Sequence, residues 1–161
     1  MPKLEVSSYL KFIFFISSVG IVSAYFIEYV LGHQPCNLCL IERIPYILSL
    51  LVLLINYKFK KIERYSIFLI LIVFFFSLLV SLYHFGIEQG FINESALCNV
   101  NNSSNILSKE QLLQELQKNN VSCKDVTFRI FGFSLTTINI FMSLLIIILS
   151  VRILISYEKN K

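Results

Sequence analysis

The sequence predicts an all-α membrane protein: a four-helix transmembrane bundle with a short interfacial helix in its second exported loop. Three observations predict it. Hydrophobic residues fill 56% of the 161 positions and charged residues only 15%, far from the balance of a soluble domain. The apolar residues are blocked into long runs rather than spread at helix or strand period. The basic residues, finally, concentrate in some of the segments between those runs and not in others. The length accommodates a single membrane domain over 1–161, with membrane lipid as its surroundings and no nucleic acid as a partner.

The first span is Phe12–Leu31, twenty residues with one charge, Glu28. The third, Tyr65–Phe85, and the fourth, Ile130–Val151, carry no formal charge over twenty-one and twenty-two residues. At about 1.5 Å per residue each can cross a hydrocarbon layer of roughly 30 Å. The second is less plain. Ile44–Tyr57 is fourteen residues, short enough for a buried soluble helix. Begun at Leu38 it reaches twenty at Tyr57 but takes in Glu42 and Arg43, which are expected at the interface with the arginine reaching toward the headgroups.

Charge distribution decides for four spans. The N-terminus, the connector "KFKKIER" and the tail hold nine basic residues, among them Lys11, Lys58 and Arg152, against three acidic ones. Residues 88–129 hold four basic and five acidic. The positive-inside rule therefore places both termini and the short connector in the cytoplasm and 88–129 outside. "IVSAYF" offers a small-residue cleavage site at Val22-Ser23-Ala24, but the apolar run continues to Leu31, longer than a signal core requires.

Within 88–129, "NESALCNVNNSSN" (93–105) reads as a polar loop around Cys98. "SKEQLLQELQK" (108–118) reads as a short helix with a capping box from Ser108 to Gln111. Its leucines 112, 113 and 116 share one face, and eleven residues need an apolar surface to hold them helical. The membrane interface is the nearest such surface.

All four cysteines, at 36, 39, 98 and 123, fall on the exported side of this topology, the oxidising one. A disulfide framework is one reading and a four-thiolate zinc centre another; four cysteines allow three pairings. The spacing of Cys36 and Cys39 favours redox chemistry, because so small a ring restrains little chain entropy. Pro35 suits the first position of a helix, and thiols at a helix N-terminus are held toward thiolate, the species that exchanges with disulfides. Arg43 follows Cys39 by four residues and so shares its face, a cation that would stabilise negative charge there. His84 and Glu88 are likewise four apart near the exported end of the third span. A lone histidine at a membrane boundary is commonly just an interfacial polar residue; His84 is also a candidate hydrogen-bond or proton donor.

With these features the chain resembles the DsbB family, the disulfide bond formation protein B of bacterial inner membranes. The resemblance rests on "PCNLCLIER" (35–43) opening the second span, the short basic connector and "YHFGIEQG" (83–90) closing the third. It extends to the loop cysteines and "CKDVTFRIFGFSLTTIN" (123–139) leading into the fourth. It covers essentially the whole chain. Phe128 and Thr136 depart from the tryptophan and proline common in the family, away from the chemistry. Vitamin K epoxide reductase-like proteins, which carry their Cys-x-x-Cys on a late helix, fit less well.

What the resemblance implies is a thiol:quinone oxidoreductase in a bacterial inner membrane. A reduced DsbA-like periplasmic thiol oxidase would attack a Cys98–Cys123 disulfide at Cys98, and Cys123 would then attack Cys36. Cys39, released as a thiolate, would pass electrons to ubiquinone or menaquinone with Arg43 stabilising the charge. The catalytic residues expected are thus Cys36, Cys39, Cys98 and Cys123; Arg43, His84 and Cys39 are expected at the quinone, and no metal is expected. The rival from another class is a non-enzymatic four-span scaffold with a disulfide-stapled exported loop, as in tetraspanins. It prefers a longer loop and a Cys-Cys-Gly motif that is absent here.

Overall fold

The computed structural model describes residues 3–59, 62–93, 98, 122–124, 128–130 and 132–159. Four long helices account for most of them: α1 (Lys3–Tyr29), α2 (Asn37–Lys58), α3 (Glu63–Glu88) and α4 (Leu135–Lys159). Each contains a stretch long and apolar enough to cross a membrane, of 24, 22, 26 and 22 residues, or about 33–39 Å at 1.5 Å per residue. The expected interfacial helix at 108–118 lies outside the described residues.

The elements differ from the sequence reading in three places. The segment α2 is a full span, and its polar residues turn into the bundle: Glu42 is 8% exposed and the Arg43 side chain 13%. Neither snorkels, because each has a partner on a neighbouring helix. The fourth helix starts at Leu135 rather than Ile130. Residues 129–134 instead form a two-stranded antiparallel hairpin, β1 (Arg129–Ile130) against β2 (Phe133–Ser134), since Gly132 adopts φ +86° and ends the apolar run in a turn. Ser134 then caps α4, accepting from the Thr137 amide at 3.3 Å. Lastly, α2 begins at Asn37 with Cys36 as its cap, so Pro35 precedes the cap instead of taking the first helical position.

Consecutive helices pack as neighbours. The segment α3 packs most extensively against α4 and α2, α1 packs against α2, and the α1–α4 seam is the sparsest. The core runs down the bundle axis through Ile13, Tyr46, Leu53, Ile67, Ile70, Phe74, Ile146 and Ile153. Tyr46 meets Phe74 edge-on at 5.2 Å between ring centroids. Serines stand where helices approach closely. Ser49 donates to Ser17 at 3.0 Å, and Ser77 and Ser143 lie 3.3 Å apart, the small-residue and hydroxyl contacts that join helices where no hydrophobic driving force exists between them. Large apolar side chains point outward, Phe15, Val22, Phe76 and Phe141 all more than 60% exposed. A surface of that kind belongs in lipid and not in water.

The end where α1 and α3 finish and α2 and α4 begin carries the remaining polar chemistry. Gly32, at φ +73°, lets the chain turn out of α1: the Leu31 amide reaches back to the Phe26 carbonyl and the His33 amide to that of Ile27. The five residues from Gly32 to Cys36 then lead directly into α2.

Candidate active site

Cys36 caps α2 with its sulfur, which accepts from the Cys39 amide at 3.3 Å. The one-turn offset brings the two sulfurs to 3.0 Å, both unbridged. Cys36 is also faced by His84 of α3, whose Nε2 lies 3.6 Å from its sulfur. These donors act together: the Cys39 thiol first, then the His84 hydrogen bond and charge, hold Cys36 down to about pH 4 against the opposing effect of its burial. Cys36, at the mouth of α2, is therefore held as the thiolate of the pair. Arg43, the cation the sequence pointed to, has a different place.

His84 is 2% exposed and fixed from both sides. Its Nδ1 lies 3.0 Å from Glu42 Oε1 and 3.2 Å from the Thr136 hydroxyl. Thr136 donates to Glu88 Oε1 at 2.5 Å, so Nδ1–H points to Glu42 and leaves Nε2 for the cysteine. The i,i+4 pair expected from sequence is present, Glu88 Oε1 standing 3.9 Å from Nε2. Glu42 completes its coordination through Oε2, which accepts from Asn139 Nδ2 at 3.0 Å. Asn139 also donates to Ser81 at 2.8 Å and accepts from Tyr46. Cysteine, imidazole and carboxylate in this order form a nucleophile, a base and a group that orients the base.

On the other face of α2 a cleft of about 300 Å³ opens between α1, α2 and α4, where the bundle is least tightly closed. Val19, Ile27, Ile138 and Met142 give it apolar walls, and Cys39, Glu42, Arg43 and Asn139 border it. Arg43 is held there by an ion pair with Glu28 and by Tyr25, whose ring centroid lies 5.2 Å from the guanidinium carbon. Cys36 and His84 lie behind the pair and do not line the cleft.

Cys98 and Cys123 are joined in a disulfide, which removes them from any four-thiolate metal set. Both are buried with Cys36, Leu38 and Ile87 in one cluster, so the two cysteine pairs share a single apolar patch. Cys36, Cys39 and His84 present donor atoms within 4.8 Å of one another, a set that suits a thiophilic ion as well as it suits redox exchange.

All six residues singled out from sequence stand at this end of the bundle, divided between the cleft (Cys39, Arg43), its back (Cys36, His84) and the loop disulfide (Cys98, Cys123). Sequence reasoning passed over Asn139, read Glu28 only as the charge in the first span and gave Glu42 only a positioning role; it set Thr136 away from the chemistry, whereas its hydroxyl meets both His84 and Glu88. A signal existed for two of them: Glu28 is the one charge in the first span, and an amide at 139 inside an uncharged run needs a partner.

A family model described as "Disulfide bond formation protein DsbB" matches residues 7–153. An uncharacterized protein of Rickettsia prowazekii (strain Madrid E), RP370, is 31% identical over 152 residues, covering 91% of this chain and 86% of that protein.

Proposed function

The chain belongs to the DsbB family of disulfide bond formation proteins, and from that premise we propose that it takes electrons from a periplasmic DsbA-like dithiol and passes them to a membrane quinone. Family membership and four membrane-type helices make it a multi-pass membrane oxidoreductase of disulfide formation. The observation that carries the finer reading is the cleft. Its aliphatic walls, its opening at the loosest seam and the paired placement of Cys39 and Arg43 suit a flat, apolar oxidant reached from lipid.

In this reading the reduced partner attacks Cys98, forming a mixed disulfide and freeing Cys123 as a thiolate. Because the Cys98–Cys123 bridge is packed into the Cys36 cluster, the attack requires that contact to separate. Cys123 then attacks Cys36, breaking a Cys36–Cys39 bond and releasing Cys39 with the electron pair. Attack of the partner's second thiol on the mixed disulfide, with the return of Cys123 to Cys98, leaves the pair at 36 and 39 reduced. A quinone, when bound, supplies a two-electron, two-proton acceptor dissolved in the membrane. Toward it Arg43 offers a fixed guanidinium, and Glu28 and Tyr25 keep that group at the cleft wall. Cys36, held as thiolate, bonds to the Cys39 sulfur as Cys39 gives up its electron pair. Overall two thiols become one disulfide and the acceptor gains two electrons and two protons.

The same reading places the termini and the connector "KFKKIER" (58–64) in the cytoplasm and the site at the periplasmic face of an inner membrane. A reduced thioredoxin-like dithiol oxidase, added to the chain in vesicles with a short-chain ubiquinone or menaquinone, tests it. Quinone-dependent oxidation of the dithiol that is abolished by Cys39→Ala is expected. Oxidation independent of quinone or of Cys39 would refute it, as would labelling that finds Cys36 and Cys39 on the cytoplasmic side.

A further inference from the structure

As the Cys36–Cys39 bond closes, an acceptor in the cleft takes up two protons, that of the Cys39 thiol and the one that Cys36 has already lost to His84. Cys39 borders the cleft itself. Cys36 does not: it is 5% exposed, and its sulfur faces His84 on the opposite side of the pair. The proton it has given up therefore lies at His84, which does not line the cleft.

A path into it exists. His84 touches Cys36 through Nε2 at 3.6 Å and Glu42 through Nδ1 at 3.0 Å. Glu42 is the residue that belongs to both sides: one oxygen faces the imidazole, and the side chain borders the cleft beside Asn139, which holds the other oxygen. An imidazole that accepts at one nitrogen and releases at the other, followed by a carboxylate, transfers a proton without any movement of heavy atoms. We propose that His84 and Glu42 form a proton relay that carries the Cys36 proton from behind the cysteine pair to the acceptor cleft. The proposal rests on the reading of that cleft as the oxidant's site.

In balance, Cys36 is already the thiolate, and the proton it has lost is held at His84 Nε2. His84 gives the Nδ1 proton to Glu42 Oε1. Glu42 gives it up in the cleft as the sulfurs bond and two electrons leave through Cys39; Glu42 ends as it began, and His84, left neutral, regains its proton when exchange with the reduced partner next frees Cys36. The ionisable groups around this path are Glu28 on α1, His33 in the turn between α1 and α2, Cys39, Arg43 and Tyr46 on α2, and Tyr83 and Glu88 on α3; α4 contributes the uncharged Thr136 and Asn139. Arg43 and Glu28 are occupied with each other. Glu88 is the competing outlet. It is nearly buried, its Oε2 has no partner among the described residues, and it stands off at 3.9 Å without reaching the cleft.

The test uses the reduced full-length chain in vesicles and a short-chain ubiquinone, with the quinone absorbance followed in single turnover. Glu42→Gln keeps the bond to Asn139 but accepts no proton, and it is expected to slow quinone reduction roughly 100-fold, the lower range for general acid–base catalysis. Three further readouts separate a relay from a structural role. The Cys36 thiolate absorbance, measured without quinone, stays in Glu42→Gln. Glu42→Asp recovers most of the rate with an enlarged solvent deuterium effect. Formate, a small diffusible acid, partly restores Glu42→Ala. A folded Glu42→Gln chain that reduces quinone within about twofold of the parent overturns the relay, and so does Glu42→Asp with an unchanged rate and isotope effect should the glutamine variant fail to assemble. Failure of the parent chain to reduce quinone at all would overturn the functional reading together with the relay.

Discussion

Replacing His84 by Ala removes the one side chain from another helix that holds Cys36 as a thiolate. At 3.6 Å a full charge pair in an effective dielectric of about 20 attracts by roughly 4–5 kcal/mol, or about 3 pKa units at about 1.4 kcal/mol each. Losing that cation also removes the cost of burying it, so a rise of about 1–3 units is expected. The Cys39 thiol, the larger influence, remains, and Cys36 therefore stays below an ordinary cysteine. The sign follows directly. Starting from about 4, the parent keeps its thiolate throughout the neutral and mildly acidic range. The variant, with a raised value, loses it as pH falls through roughly 5–7, and any step using Cys36 as nucleophile slows over the same window. The assay is the thiolate absorbance of a reduced chain carrying Cys98→Ser and Cys123→Ser, so that only the pair at 36 and 39 titrates. Superimposable titrations with and without His84 would refute the argument and leave the Cys39 thiol and the capping geometry of α2 as the causes.

The other expectations address the cleft, the loop and the helix ends. Arg43→Leu leaves the half-buried Glu28 without its ion-pair partner; a rise of about tenfold or more in the KM for quinone is expected, with thiol exchange at Cys98 unchanged, and steady-state titration reads it. Cys98→Ala separates the half-reactions: it abolishes oxidation of the protein dithiol while a small reductant such as dithiothreitol still drives quinone reduction through Cys36 and Cys39. Asn139→Ala strips a donor from buried Glu42 and Ser81 and an acceptor from Tyr46, and a loss of about 2–3 kcal/mol in unfolding free energy is expected. Gly32→Ala, at φ +73°, costs about 1 kcal/mol in the same measurement.

Much of this architecture is legible in the residues themselves, because lipid imposes long apolar runs and the positive-inside rule fixes their parity. The ambiguous second span shows the argument at its most useful: hydropathy alone left residues 38–57 open, and charge placement decided for the helix that the structure contains. The hairpin at 129–134 was not legible, since its residues are as apolar as a helix start and only the backbone at Gly132 separates the two. Cys36 and Cys39 announce themselves by spacing. Their electrostatics do not, for the expected cation, Arg43, is paired with Glu28 and faces the cleft, while the thiolate is supported by a histidine 48 residues away. Partnerships of that kind depend on how α2, α3 and α4 rotate against one another, and no local pattern encodes them. Glu42 shows the same limit. A carboxylate at a span's edge reads as a solvated charge until the packing turns it inward, toward His84 and Asn139.

The central claim is that the sulfurs at 36 and 39 pass their electrons to an oxidant bound in the cleft between α1, α2 and α4. Anaerobic titration of the reduced chain in vesicles with a short-chain ubiquinone measures this most directly, with the remaining thiols trapped by alkylation and identified by mass. A Cys36–Cys39 bond appearing in step with quinone loss, one for one, and no quinone consumed by Cys39→Ala, is the predicted result. Quinone consumption that persists in Cys39→Ala, or a pair that stays reduced in excess quinone, would contradict it.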